Sequence, residues 1–167
     1  DNLGKFKKDN KSITSTSIPK YSLDNLLNKS LEAYYWIGFI LADGSFYKNT
    51  FEFSLKESDL LQIIRLCKFL NIDNKIISFR KDTKSYRLSF HNKDSINNIM
   101  TTFKIHYNKT YNPCDFNVFE NLSNLELTAL LIGIIDGDGS IDKSGKYISI
   151  TTHKNWRNFY QNLINKT

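Results

Sequence analysis

Two stretches of the chain are apolar on almost every side. The first, 31–42, carries Ala33, Tyr34, Trp36, Ile37, Phe39, Ile40 and Leu41, follows Ser30 and stops at Gly44. The second, 123–137, runs into LLIGIIDGDGSI, residues 130–141. A helix that is apolar all round is buried on most faces, so both are expected at the centre of the fold. Each also carries a glycine in its middle, Gly38 and Gly133. A mid-helix glycine costs about 1 kcal/mol against alanine, which makes sense if another backbone packs against it.

Between the two helices the period changes. Residues 50–56 (TFEFSLK) alternate strictly, with Phe51, Phe53 and Leu55 on one side and Glu52, Ser54 and Lys56 on the other. That is a half-buried strand, with 46–48 as its hairpin partner turning near Asn49. Next, 58–71 reads as an amphipathic helix with Ser58 as N-cap and Leu61, Ile64, Cys67 and Leu70 on one stripe. Segments 75–80 and 85–91 form a second hairpin turning at DTK, and 93–104 a third helix. The unit is αββαββα, an α+β domain. A linker of about 18 residues, 105–122, leads to the second apolar helix. Strands at 140–142 and 146–152 and a helix at 155–165 follow it.

The pattern thus occurs twice. Aligning Asp43 with Asp138 gives an offset of 95 (138 − 43), at which Ile37, Gly38, Ile40, Gly44 and Ser45 meet Ile132, Gly133, Ile135, Gly139 and Ser140. Downstream, Phe53 and Leu55 meet Ile148 and Ile150, and Leu61 and Ile64 meet Trp156 and Phe159. The expected organisation is a polar arm over 1–29 with a short helix near 22–28, a first repeat over 30–104, the linker over 105–122, and an incomplete second repeat over 123–167. The second repeat lacks counterparts of Asp73 to Lys104. An exposed sheet edge and an uncovered apolar face are expected there, with the missing part in a second chain or in further sequence.

Composition adds a partner class. The net charge is +6 and the pI is near 9.2, which favours a polyanion. Two cysteines, Cys67 and Cys114, form no CxxC pair, which fits a reducing compartment. No Cys/His cluster has zinc spacing, and no apolar run reaches the ~18 residues of a membrane-spanning helix. No cleavable signal peptide is evident, so an intracellular location without membrane contact is expected. The missing initiator Met fits a fragment or a processed chain. Abundant Asn, Lys, Ile, Tyr and Phe, all with A/T-rich codons, fit an AT-rich mitochondrial, viral or phage genome.

The chemistry sits at the ends of the two apolar helices. A lone Asp-Gly after a helix is ordinarily a turn and C-cap. Here the same pair recurs after the same helix and before the same strand. If Gly38 and Gly133 let the backbones approach, Asp43 and Asp138 come side by side. Helix C-termini carry partial negative charge and unpaired carbonyls. Two carboxylates added there call for divalent cations, and oxygen-only ligands argue for Mg²⁺. Such a site beside basic sheets suits phosphodiester hydrolysis. Asp136 matches Leu41 at the same offset and is read as a capping or interface residue.

WIGFILADG and LIGIIDGDG resemble the two signature helices of LAGLIDADG homing endonucleases. The resemblance runs from about Leu31 to the end. It implies a saddle-shaped pair of antiparallel sheets over double-stranded DNA with a long target site, and metal-dependent cutting of both strands. Asp43 and Asp138 map to the metal-binding acid, aided by the carbonyls of Ala42 and Gly137. Mg²⁺ is the implied cofactor, with Ca²⁺ supporting binding without cutting. HYNKTYN resembles a family segment whose lysine would be Lys109, an active-site base or electrostatic stabiliser. The outward strand residues Glu52, Ser54, Lys56, Ser78, Arg80, Arg87, Ser89, His91, Tyr147, Ser149 and Thr151 would read bases. Lys48, Lys81, Lys84, Lys143 and Lys146 in the turns would meet phosphates. The same fold also serves as an intron RNA splicing cofactor or as an inactive DNA-binding module, and both stand as alternatives.

Overall fold

In the computed structural model, residues 20–167 are described. The first 19 positions, and with them most of the expected polar arm, lie outside the described residues. The rest of that arm is docked rather than solvated. Leu23 and Leu26 of the turn around the 3-10 helix Asp24–Leu27 are 0% and 1% exposed. The Leu23 amide donates to Ser95 Oγ at 2.6 Å, and Asn92 Nδ2 to the Tyr21 carbonyl at 2.7 Å.

Helix α1 spans Leu31–Asp43, and Ser30 Oγ accepts the Ala33 amide at its start. Strands β1 (Gly44–Tyr47) and β2 (Thr50–Lys56) follow directly. Lys48 and Asn49 link them, both with positive φ (44° and 63°), the geometry of a tight hairpin turn. Helix α2 covers Leu60–Leu70; strands β3 and β4 are Ser78–Arg80 and Ser85–His91, and α3 is Lys93–Thr102. The four strands form one antiparallel sheet in the order β1-β2-β4-β3. Its register puts Phe46, Phe51, Phe53, Leu88 and Phe90 in one inward row, each side chain worth about 1.5–3 kcal/mol when buried.

Two sequence expectations change on α2. Its first turn is a 3-10 segment, Glu57–Asp59, so Ser58 caps nothing and Asp59 precedes the helix without a side-chain bond. That lead-in rotates the face. Leu61 is 67% exposed, and the buried stripe is Ile63, Leu66, Cys67 and Leu70. The second hairpin is also shorter than expected, because Asn74–Ile76 is a 3-10 turn.

The linker is not a bare loop. Its 3-10 turn Phe116–Phe119 drives Phe116 and Phe119 against Phe159, with ring centroids 5.7 and 6.0 Å apart. Helix α4, Asn124–Asp138, starts from a capping box in which Ser123 and Glu126 bond each other reciprocally. Then come β5 (Gly139–Ile141), β6 (Ile148–Ile150) and α5 (Arg157–Lys166). The offset of 95 holds through β5 and fails at β6. Gly44 pairs with Phe53, but Gly139 pairs with Ile150, so the structural partner of Phe53 is Ile150, at an offset of 97. The cause is a longer turn closed by the Asp142 amide on the Tyr147 carbonyl. The β5–β6 sheet has two strands among the described residues, and Ile141, Ile148 and Ile164 are more than half exposed. By contrast, β2 in the first repeat is paired on both sides.

Candidate active site

The two apolar helices pack against each other at the centre, at backbone distance. A Cβ on Gly38 would lie 2.0 Å from the Leu130 carbonyl oxygen, and one on Gly133 only 1.9 Å from that of Tyr35. The contact is reciprocal, since Gly133 and Leu130 are the offset partners of Gly38 and Tyr35. It carries a pseudo-twofold relation through the helix pair. Both helices therefore end on the same side. A Cβ at Gly137 would sit 3.2 Å from Asp43 Oδ2, which places the Asp43 carboxylate over the last turn of α4.

Burial pushes the Asp43 carboxyl up to about 6, and the neighbouring Asp138 charge adds to the effect. Asp138 is likewise raised, first by burial, with Lys109 opposing. These shifts mark a place short of positive charge. Among the described residues, Lys109 is the cation whose charge reaches both acids, and its own pKa is lowered by burial while Asp138 and Asp43 hold it up. Its ammonium donates to the carbonyls of Leu41 and Ala42, both at 2.6 Å. It thus caps the C-terminus of α1, where a positive charge is favoured. The Ala42 carbonyl, expected to bind metal, is accordingly engaged by a lysine. A cavity of about 310 Å³ opens beside Lys109, Asp138, Thr151 and Trp156.

No three His, Cys, Asp or Glu side chains cluster as a metal cage among the described residues. The donor set nonetheless fits Mg²⁺. That ion is commonly held by one or two carboxylates, with water and substrate phosphate completing its shell. Asp43 and Asp138 supply two carboxylates whose charge is otherwise poorly offset.

Asp136 stands apart from this site, as an interface residue. Its Oδ2 accepts the Tyr35 hydroxyl at 2.8 Å across the helix pair. The offset counterparts, Leu41 and Leu130, are both buried and apolar.

The candidate DNA-facing residues fall on one side of the four-stranded sheet. Glu52 lies opposite Ser89, Ser54 opposite Arg87, Arg87 opposite Ser78, and Thr50 opposite His91. Lys56 and Arg80 flank Ser85. Lys48, Lys81 and Lys84 are exposed at the turns. Arg87 is not free, because its guanidinium is ion-paired with Glu52. Arg80 pairs with Asp82 at 3.3 Å. On the second sheet Ser149 faces Ser140, their hydroxyls 2.8 Å apart, and Lys143, Lys146, Tyr147 and Thr151 are exposed around it. Alternation alone missed Ser45, Thr50 and Ser140 on these faces; the strand register reveals them.

No family model and no curated protein matches the chain. Solved structures do share its fold. The I-LtrWI LAGLIDADG homing endonuclease bound to target DNA is 15% identical, with a TM-score of 0.53 over 81% of this chain and 71% of that one. A variant of I-DmoI in complex with its target DNA, in the presence of 2 mM Mn, is 20% identical, with a TM-score of 0.51 over 84% and 76%. Mesophilic variants of the homing endonuclease I-DmoI give 19% identity and a TM-score of 0.50 over 81% and 72%. At these identities the likeness is one of fold.

Proposed function

We propose that this chain is a LAGLIDADG-type homing endonuclease that cuts both strands of a long DNA site. The observation that carries the reading is the pair of half-buried carboxylates, Asp43 and Asp138, brought together by two helices in backbone contact. Fold neighbours bound to target DNA support the choice of polyanion.

In this reading Asp43 and Asp138 would hold divalent metal, Mg²⁺ by the chemistry of the donors. Bound there, the metal would acidify the attacking water and offset charge on the leaving oxygen. Lys109 holds a positive charge against α1, where it would stabilise negative charge developing on a reacting phosphate. The outward sheet residues bind the duplex, with serines, Arg87 and His91 toward base edges and the turn lysines toward phosphates. The two-stranded β5–β6 sheet, with Ile141 and Ile148 exposed, is open to further strands.

The test is a randomised DNA library incubated with the protein and Mg²⁺, followed by sequencing of cut ends. One cut site should emerge. Asp43→Asn and Asp138→Asn should each abolish double-strand cutting while gel-shift binding persists, and Ca²⁺ should support binding alone. Full cutting by either variant rejects the metal assignment.

A further inference from the structure

Lys109 belongs to no helix or strand, yet its ammonium rests on two carbonyls at 2.6 Å. A lysine side chain on a loop has much freedom to lose before it can hold such a position. The backbone beneath it is fixed from the other repeat. The Trp156 indole N–H reaches the Lys109 carbonyl at 3.0 Å and the Thr110 carbonyl at 3.2 Å. Next to it, Asn155 Nδ2 donates to the Tyr111 carbonyl at 2.7 Å, and the His153 ring meets Tyr111 edge-on at 5.1 Å. Trp156 is itself immobilised, 3% exposed and packed on Phe159 and Tyr160 at 5.1 and 5.7 Å.

We infer that Trp156 is a positioning residue of the site: its indole N–H sets the Lys109 backbone so that the ammonium reaches the end of α1. The inference rests on the nuclease reading for its chemical meaning, but its geometry is independent of it. Burial alone does not demand this bond. The indole N–H of Trp36 is equally buried and meets no acceptor among the described residues. The consequence is a crossed arrangement, in which the second repeat governs the cation that caps the helix of the first.

The experiment uses the whole chain as wild type, Trp156→Phe, Lys109→Met and the double variant. Phenylalanine keeps one aromatic ring in the packing and deletes the N–H together with the second ring of the indole, so Asn155→Ala, which leaves Trp156 intact, serves as the control for lost packing. The first readout is acetylation of Lys109 at fixed pH, followed by mass spectrometry and scaled to exposed Lys48. Lys109 should label about tenfold faster in Trp156→Phe, the factor expected when one buried hydrogen bond is lost. Asn155→Ala, at an exposed position, should raise labelling too, which covers the case in which Trp156→Phe fails to fold. The second readout is single-turnover cutting of the DNA recovered from the library. Trp156→Phe should cut about threefold to tenfold more slowly with DNA affinity unchanged, and should add nothing in the Lys109→Met background. Unchanged labelling in both loosening variants, or effects of Trp156→Phe and Lys109→Met that multiply, would overturn the inference. A wild type that cuts no DNA would reject the nuclease reading, and the labelling would still decide whether Trp156 holds Lys109.

Discussion

Gly133→Ala sets two effects of opposite sign against each other. Alanine gains about 1 kcal/mol of helix propensity over glycine. Against that, its methyl would lie 1.9 Å from the Tyr35 carbonyl oxygen and 2.9 Å from the Phe39 amide nitrogen. Both are backbone atoms, so no side chain can swing aside. To reach even 3.0 Å the helices must part by at least about 1.1 Å at that point. A gap of ~0.5–1 Å already forfeits a quarter to a half of each dispersion contact. The seam contains Ile37, Leu130 and Ile134, each 1% exposed or less. Overpacking ordinarily costs about 1–3 kcal/mol, and backbone against backbone belongs at the top of that range. The clash therefore wins, and a net loss of about 2 kcal/mol is expected. Gly38→Ala should behave alike, because its clash with Leu130 is the reciprocal one. Moving the helix ends apart by ~1 Å should also slow cutting by about 100-fold. Urea unfolding followed by circular dichroism gives the first number, and single-turnover cleavage the second. A Gly133→Ala protein as stable as wild type would refute the close-packing argument.

Three further outcomes follow from the geometry. In metal-free buffer the stability of the protein should fall as pH rises from about 4 through about 6, because Asp43 binds its proton more tightly folded than unfolded; Asp43→Asn should flatten that part of the urea-midpoint profile, and a parallel profile would count against the burial of this carboxylate. DNA affinity should drop steeply with salt, and removing any one of Lys48, Lys84, Lys143 or Lys146 should lower the log–log slope by about one unit if that side chain meets a phosphate, as read by fluorescence anisotropy; an unchanged slope removes that residue from the interface. Tyr35→Phe should lose about 0.5–1 kcal/mol through the bond to Asp136, and a wild-type unfolding midpoint would show that the bond contributes nothing.

Periodicity made the two central helices and the β1–β2–β4 core legible, because a residue's spacing reports which side faces apolar neighbours. The repeat itself was legible through Gly38, Asp43 and their copies. What spacing could not supply was turn length. The longer loop after β5 shifts the β6 equivalences by two, so Ile150 takes the place of Phe53. Nor does a polar segment with isolated leucines have a period, which is why Leu23 and Leu26 read as part of a polar arm. At the site, the sequence singled out both acids and Lys109. It did not show that the lysine lies on the Leu41 and Ala42 carbonyls, or that Trp156 reaches its backbone. Those contacts join residues 47 to 68 positions apart, and no local pattern encodes them.

The central helix pair also sets an order of events in folding. The first apolar helix is made early along the chain, but its glycine groove is filled by residues about ninety positions later. Contacts of such long sequence separation close late, after nearby hairpins and helices have formed. The two carboxylates are therefore not a property of either repeat. They exist as a pair only in a chain that has completed its fold, and a nascent or partly opened molecule has no paired site with which to act.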